Sequence, residues 1–134
     1  MSRIGEIEGL NRPQQVSLQK AGVKTTEDLL RLAGGTGGRQ ELAQKASVPE
    51  SQLLEWVNRA DLMRIKGIGG EYSDLLEAAG VDTIKELATR SAANLYSQIA
   101  QVNRQKRLTR RAPAAGQVER WVEDAKRMQP MVTH

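Results

Sequence analysis

A chain of 134 residues with 39% apolar content is expected to bury one modest core without a covalent staple, as one compact domain over residues 1–134. It contains no cysteine, which excludes a disulfide framework, a thiolate metal site and thiol redox chemistry. The net charge of +4 comes from 20 bases and 16 acids, but five of the bases fall in residues 103–111, which hold no acid, so the remainder has 15 bases against 16 acids.

In chain order, Met1 to Glu6 lacks an apolar signal segment, and no apolar run reaches the roughly 18 residues that span a bilayer. A cytoplasmic protein with no membrane partner is expected. Short helical stretches follow, separated by glycine-marked turns, without the period-two alternation of strands, so the fold class is all-α. Pro13 opens a helix running to about Ala21, which Gly22 stops with a left-handed cap. Thr25 or Thr26 caps a helix through about Leu32, and the run Gly34 to Gly38 breaks the chain before a helix from Arg39 to Ala46. From about Pro49 to Arg64, Leu53, Trp56, Val57, Ala60 and Met63 recur at helical spacing as one apolar stripe.

The same grammar then returns. Glu71 to Ala79 reads as a helix stopped by Gly80, and Thr83 to Glu86 as a capping box for the next. Asn94 to Val102 is helical, the basic stretch continues or ends that helix, and residues 112–116 are a break. A last helix from about Gln117 to Met128 repeats the tryptophan stripe with Val118, Trp121, Val122 and Ala125. Both tryptophans are expected in the core, at equivalent places.

The likeness between the halves is explicit. Ile65 to Ala88 matches Ile7 to Leu30 at an offset of 58 residues, including Ala21-Gly22-Val23 against Ala79-Gly80-Val81, while Trp56-Val57 matches Trp121-Val122 at an offset of 65. A fixed period over glycines and apolar positions marks repeated architecture. Two repeats, about 4–64 and 65–129, with a tail over 130–134, are therefore expected. The second holds a seven-residue insertion between Thr89 and Gln117, where the basic segment lies. The first hairpin has only six residues before Ile7. The last helix is therefore expected to fold back beside that hairpin, near Leu10 and Leu18, closing the halves about a pseudo-two-fold axis.

Between the Trp56 helix and the helix at Glu71 lies Ile65-Lys66-Gly67-Ile68-Gly69-Gly70, which resembles a helix-hairpin-helix turn. Its glycines permit positive φ and leave amides uncovered, and Ile68 plugs the turn into the core. Amides at the mouth of a helix suit a phosphate oxygen. The resemblance implies a grip on the nucleic-acid backbone with little sequence preference. A glycine turn between helices is equally how a tight αα-corner is made, so a structural or protein-contact role stands beside it. The first copy reads Glu8-Gly9-Leu10-Asn11-Arg12, with one glycine and with Glu8 where the second has Lys66.

The pattern from Ile7-Glu8-Gly9 through Trp56 to Gly69, and on to Gln117 to Val122, looks like a bacterial family catalogued as a domain of unknown function, with tandem helix-hairpin-helix-like repeats. The family resemblance implies the fold and a nucleic-acid role, and no defined activity.

An enzyme is not expected. The sole histidine is His134, no Ser, His and Asp constellation assembles, and no cofactor or metal is called for. Asp61, Asp74, Glu77 and Asp82 read as scattered solvated carboxylates. The leading expectation is a non-sequence-specific DNA-binding module. It would touch phosphates through Lys66, Gly67, Ile68, Gly69 and Gly70, through Gly9, Asn11 and Arg12, and through the basic residues Arg104, Lys106, Arg107, Arg110 and Arg111. The alternative is a scaffold domain whose basic segment meets an acidic protein partner. What separates the two is whether the basic segment shares a face with the second hairpin.

Overall fold

The structure is a computed structural model that describes residues 2–134; Met1 lies outside the described residues. A 3-10 turn over Ile4–Glu6 precedes eight helices: α1 (Arg12–Lys20), α2 (Thr26–Ala33), α3 (Thr36–Ala46), α4 (Glu50–Leu62), α5 (Gly70–Ala78), α6 (Ile84–Leu87), α7 (Ala92–Lys106) and α8 (Ala115–Arg127). No strand occurs among the described residues, only an isolated bridge between Arg3 and Thr25.

Local chemistry sets the helix ends. Asn11 caps α1 through a reciprocal pair with Gln14, and Pro13 sits in the first turn where no amide donor is required. At its other end Gly22 has φ +95° and the Val23 N–H donates to the Leu18 carbonyl. Helix α5 ends alike, with Gly80 at φ +92° and Val81 donating to Leu76. In both, the buried valine packs beside the helix it terminates, the hydrophobic half of a Schellman cap. Helices α1 and α5 begin and end 58 residues apart, and α4 and α8 begin and end 65 apart.

Several expected boundaries move. The glycine run does not break the chain throughout, because α3 begins at Thr36 and takes in Gly37 and Gly38. A side chain at Gly38 would overlap the Leu32 carbonyl, so glycine lets the start of α3 press on the end of α2. The box at Thr83 is half formed: its hydroxyl accepts from the Glu86 N–H, but the Glu86 carboxylate pairs with Arg90 instead. Helix α7 runs on to Lys106 and stops at Arg107, which turns left-handed at φ 50° while its N–H donates to Asn103.

Two clusters of buried side chains form the interior. The first gathers the 3-10 turn and α1 to α4 around Leu18, Leu29, Leu53 and Trp56; the second gathers α5 to α8 around Leu75, Leu76, Leu87 and Trp121. Helix α4 belongs to both, giving Trp56, Val57 and Ala60 to the first and Leu62 to the second. The tryptophans are core residues, at 2% and 3% exposure. The last helix does not fold back on the first hairpin. It packs on α6 and α7, with Trp121 in the second cluster while Leu10 and Leu18 lie in the first. Each tryptophan helix thus closes over the hairpin of its own half, burying apolar surface locally.

Asp61 is not a solvated carboxylate. It is 1% exposed, its Oδ2 accepts from the Ile84 N–H at 2.8 Å and its Oδ1 pairs with Arg64 at 2.9 Å, so an acid from α4 satisfies the first amide of α6. The segment after α8 also returns to the first half. Val132 is buried in the first cluster, the Thr133 N–H donates to the Gly34 carbonyl at 2.9 Å, and Arg39 donates to the Thr133 carbonyl at 2.8 Å. Arg39 itself is 2% exposed and donates to the Ala33 and Gly34 carbonyls, a cation held against the C-terminal end of α2.

Candidate nucleic-acid interface

The second hairpin turns at Gly67, whose φ of +95° suits glycine and strains any other residue. Beneath it stands Trp121, with the indole Nε1 3.4 Å from where a Cβ at Gly67 would lie. Ile68 is buried, so this member of the expected set acts as the plug and offers its backbone alone. Gly69 is the N-cap of α5 and provides no side-chain acceptor. Among the described residues no acceptor meets the amides of Gly69, Gly70, Glu71 and Tyr72, and the first bond of α5 is donated by Ser73 to the Gly69 carbonyl. The four donors stand at the positive end of the helix dipole. Nothing lies within 4 Å of a Cβ placed at Gly69, so that side of the turn is open.

The basic segment is fastened to this turn. The Tyr72 hydroxyl donates to the Arg111 carbonyl at 2.8 Å, and the Thr109 hydroxyl donates to Glu71 Oε2 at 3.0 Å. Asn103 clasps Thr109 twice, through the Thr109 N–H and its carbonyl, which fixes the path of the loop after Arg107. Tyr72 rests tilted against Trp121, ring centres 5.4 Å apart. Gly67, Gly69, Gly70 and Arg111 therefore line one depression of about 350 Å³, together with Glu71, Tyr72 and Thr109. Arg104 and Lys106 lie in the last turn of α7, and Arg107 and Arg110 in the loop. All five basic side chains and Lys66 are exposed, and none is in an ion pair among the described residues. Two acids stand at the depression: Glu71, whose carboxylate is engaged by Thr109, and Glu8, whose Oε1 lies 3.6 Å from where a Cβ at Gly70 would be. Asn103, Thr109 and Tyr72 were not evident in the sequence. A threonine and a tyrosine carry no spacing signal, and their role depends on a meeting 39 residues apart.

The first hairpin is built differently. Gly9 turns at φ +86°, but the Asn11 N–H donates to Gln14 Oε1 and the Gln14 N–H to Asn11 Oδ1, both at 2.9 Å, and Pro13 has no amide. Side chains at the start of α1 thus satisfy two of its amides and Pro13 removes a third, leaving that of Arg12. Arg59 of α4 crosses this turn, donating to the Glu8 carbonyl at 2.8 Å while pairing with Asp74 at 3.0 Å and Glu77 at 2.7 Å on α5. Burial works against its charge, but the Glu77 hydrogen bond and the charges of Glu77, Asp74 and Glu55 prevail, and its pKa is raised. The hairpins abut, because a side chain at Gly70 would overlap the Glu6 carbonyl. Arg12 does not join the depression at the second hairpin; it lines a separate cleft with Arg3 and Lys24.

The family described as a domain of unknown function, DUF4332, matches residues 8–128. The chain belongs to the DUF4332 family. No curated protein and no solved structure matches it. The DUF4332 match takes in both hairpins and the basic loop, and stops short of Val132 and Thr133, which dock on the first half. Among its described residues no helix is long and apolar enough to cross a membrane, and no group of three or more His, Cys, Asp or Glu is placed to hold a metal ion.

Proposed function

We propose that this DUF4332 chain carries two helix-hairpin-helix units and binds the phosphate backbone of DNA, without sequence preference, through the second of them. The observation that carries this reading is the attachment of the basic loop to the mouth of α5 by Tyr72 and Thr109. It puts Arg111 beside four unpaired amides, and the other cations of the segment follow on the same loop and the helix leading into it. A phosphate oxygen at the α5 terminus would accept from the amides while the guanidinium groups supply charge. The equal offsets of α1 with α5 and of α4 with α8 support the repeated unit. Open backbone donors contact phosphates and carry no base information, so discrimination would be between shapes of DNA rather than between sequences.

The test is fluorescence anisotropy with labelled single-stranded, duplex and branched DNA at two salt concentrations. About five phosphate contacts give a salt slope near −4.5, so raising salt fourfold weakens binding about 500-fold. The triple variant R107A/R110A/R111A should lose most of the affinity and flatten the slope to about −2. Absence of binding at the lower salt would discard the reading in favour of an acidic protein partner for the same loop.

A further inference from the structure

On the first half of the molecule lies a second basic feature that the nucleic-acid reading does not use. Residues 2–4 run antiparallel to residues 24–26, held by Ile4 donating to the Lys24 carbonyl at 3.2 Å and Thr26 donating to the Ser2 carbonyl at 2.8 Å. This pairing sets Arg3 opposite Thr25 and Ile4 opposite Lys24, so Arg3 and Lys24 sit on adjoining segments at one edge of the same cleft. Across from them, Arg12, Gln15 and Gln19 recur at spacings of three and four along one face of α1. The five side chains line a cleft of about 590 Å³ whose floor is the buried Ile4. Its volume is that of a small-molecule site and exceeds the shallow depression at the second hairpin.

The charge inside is one-sided. Arg3, Arg12 and Lys24 form no ion pair among the described residues, and no carboxylate lines the cleft. Asp28, close in sequence, is turned elsewhere: its Oδ2 accepts from the Lys24 and Thr25 amides and its Oδ1 from Arg31. Three like charges facing one space repel, and a bound anion would relieve that repulsion. Gln19 adds an amide NH2, while the Gln15 Nε2 donates to the Leu10 carbonyl at 3.4 Å and its Oε1 lies toward Gly5. No aromatic side chain is present to stack on a base or sugar.

We propose that this cleft binds a compact oligophosphate anion, recognised by Arg3, Arg12 and Lys24 through its phosphate oxygens. This goes beyond the DNA reading and does not depend on it. Arginine meets two oxygens of a phosphate at once and lysine acts as a point charge, so a chain of two or three phosphates could engage all three cations together.

The probe is sodium triphosphate, titrated by calorimetry into the full chain at low salt. The expected result is saturable one-to-one binding, weakened about tenfold or more by Arg12→Gln and again by Lys24→Gln, and unchanged in R107A/R110A/R111A. Both cleft side chains are exposed, so the variants should keep the parent melting temperature. ATP should bind as triphosphate does, because nothing in the cleft reads a base. Tighter binding of ATP than of triphosphate would overturn the assignment of recognition to the phosphates alone. Absence of triphosphate binding, or binding lost only in the loop variant, would overturn the site. So would a result in which Lys24→Gln leaves triphosphate unaffected and weakens DNA, which would make the cleft a backbone contact. Failure of the DNA reading would appear in the anisotropy experiment and leave these outcomes untouched.

Discussion

The two hairpins share an isoleucine, a positive-φ glycine and an apolar plug, and differ in the residues that open the helix after them. At the first, Asn11 and Gln14 satisfy each other's amides, Pro13 has none, and Arg59 covers the turn. At the second, Gly69 and Gly70 occupy the equivalent places, no side chain reaches the amides, and a basic loop is tied alongside. An N-cap that satisfies itself stabilises its helix and leaves nothing for a ligand, whereas a bare glycine cap forgoes that stability and leaves donors free. One turn is closed by its own side chains and the other keeps its backbone donors uncovered.

The largest test of the contrast lies under the turns. Trp121→Ala should cost about 3–5 kcal/mol by urea denaturation, because a buried indole is removed from the second cluster. If each half rests on its own tryptophan, amide exchange should accelerate at the hydrogen-bonded amides of α5, from Ser73 onward, and much less in α1 and α2. An equal loss in both halves would mean that the hairpins share one support. Next is the contact between the hairpins: Gly70→Ala drives a methyl group into the Glu6 carbonyl and should destabilise by about 1–3 kcal/mol, read by the same denaturation. A neutral result would show that the hairpins separate freely. The smallest effect on stability is the most informative. Gly69→Asn gives the second hairpin the cap of the first in an open position, and should stabilise by about 0.3 kcal/mol while reducing DNA affinity, because the new side chain occupies the Tyr72 amide. A gain in stability with unchanged DNA binding would remove the α5 terminus from the interface and leave the cations alone responsible.

Much of the fold was legible because its signals are local. Pro13, Gly22, Gly80 and the tryptophan stripes place α1, α5, α4 and α8 to within a few residues, since caps and helical periodicity act over a turn or two. The Gly37-Gly38 pair misled because its helical conformation follows from the approach of α2, which propensity does not contain. The return of α8 to the second hairpin was misjudged for a similar reason. Covering the first hairpin seemed to require a helix from elsewhere, but Trp56 of α4 already packs in the first cluster. At the candidate site the glycines and the cations stood out in the sequence. Their proximity did not, because it rests on single hydrogen bonds from Tyr72 and Thr109 across nearly forty residues.

The docking of Val132 and Thr133 on Gly34 and Arg39 has a consequence for the order in which the molecule is made. A chain emerging from the ribosome delivers α1 to α4 first, yet the segment that fills the last place in their core and accepts from the buried guanidinium comes after α8. The contacts of Val132 and Thr133 with the first half can therefore form only after the second half has been synthesised.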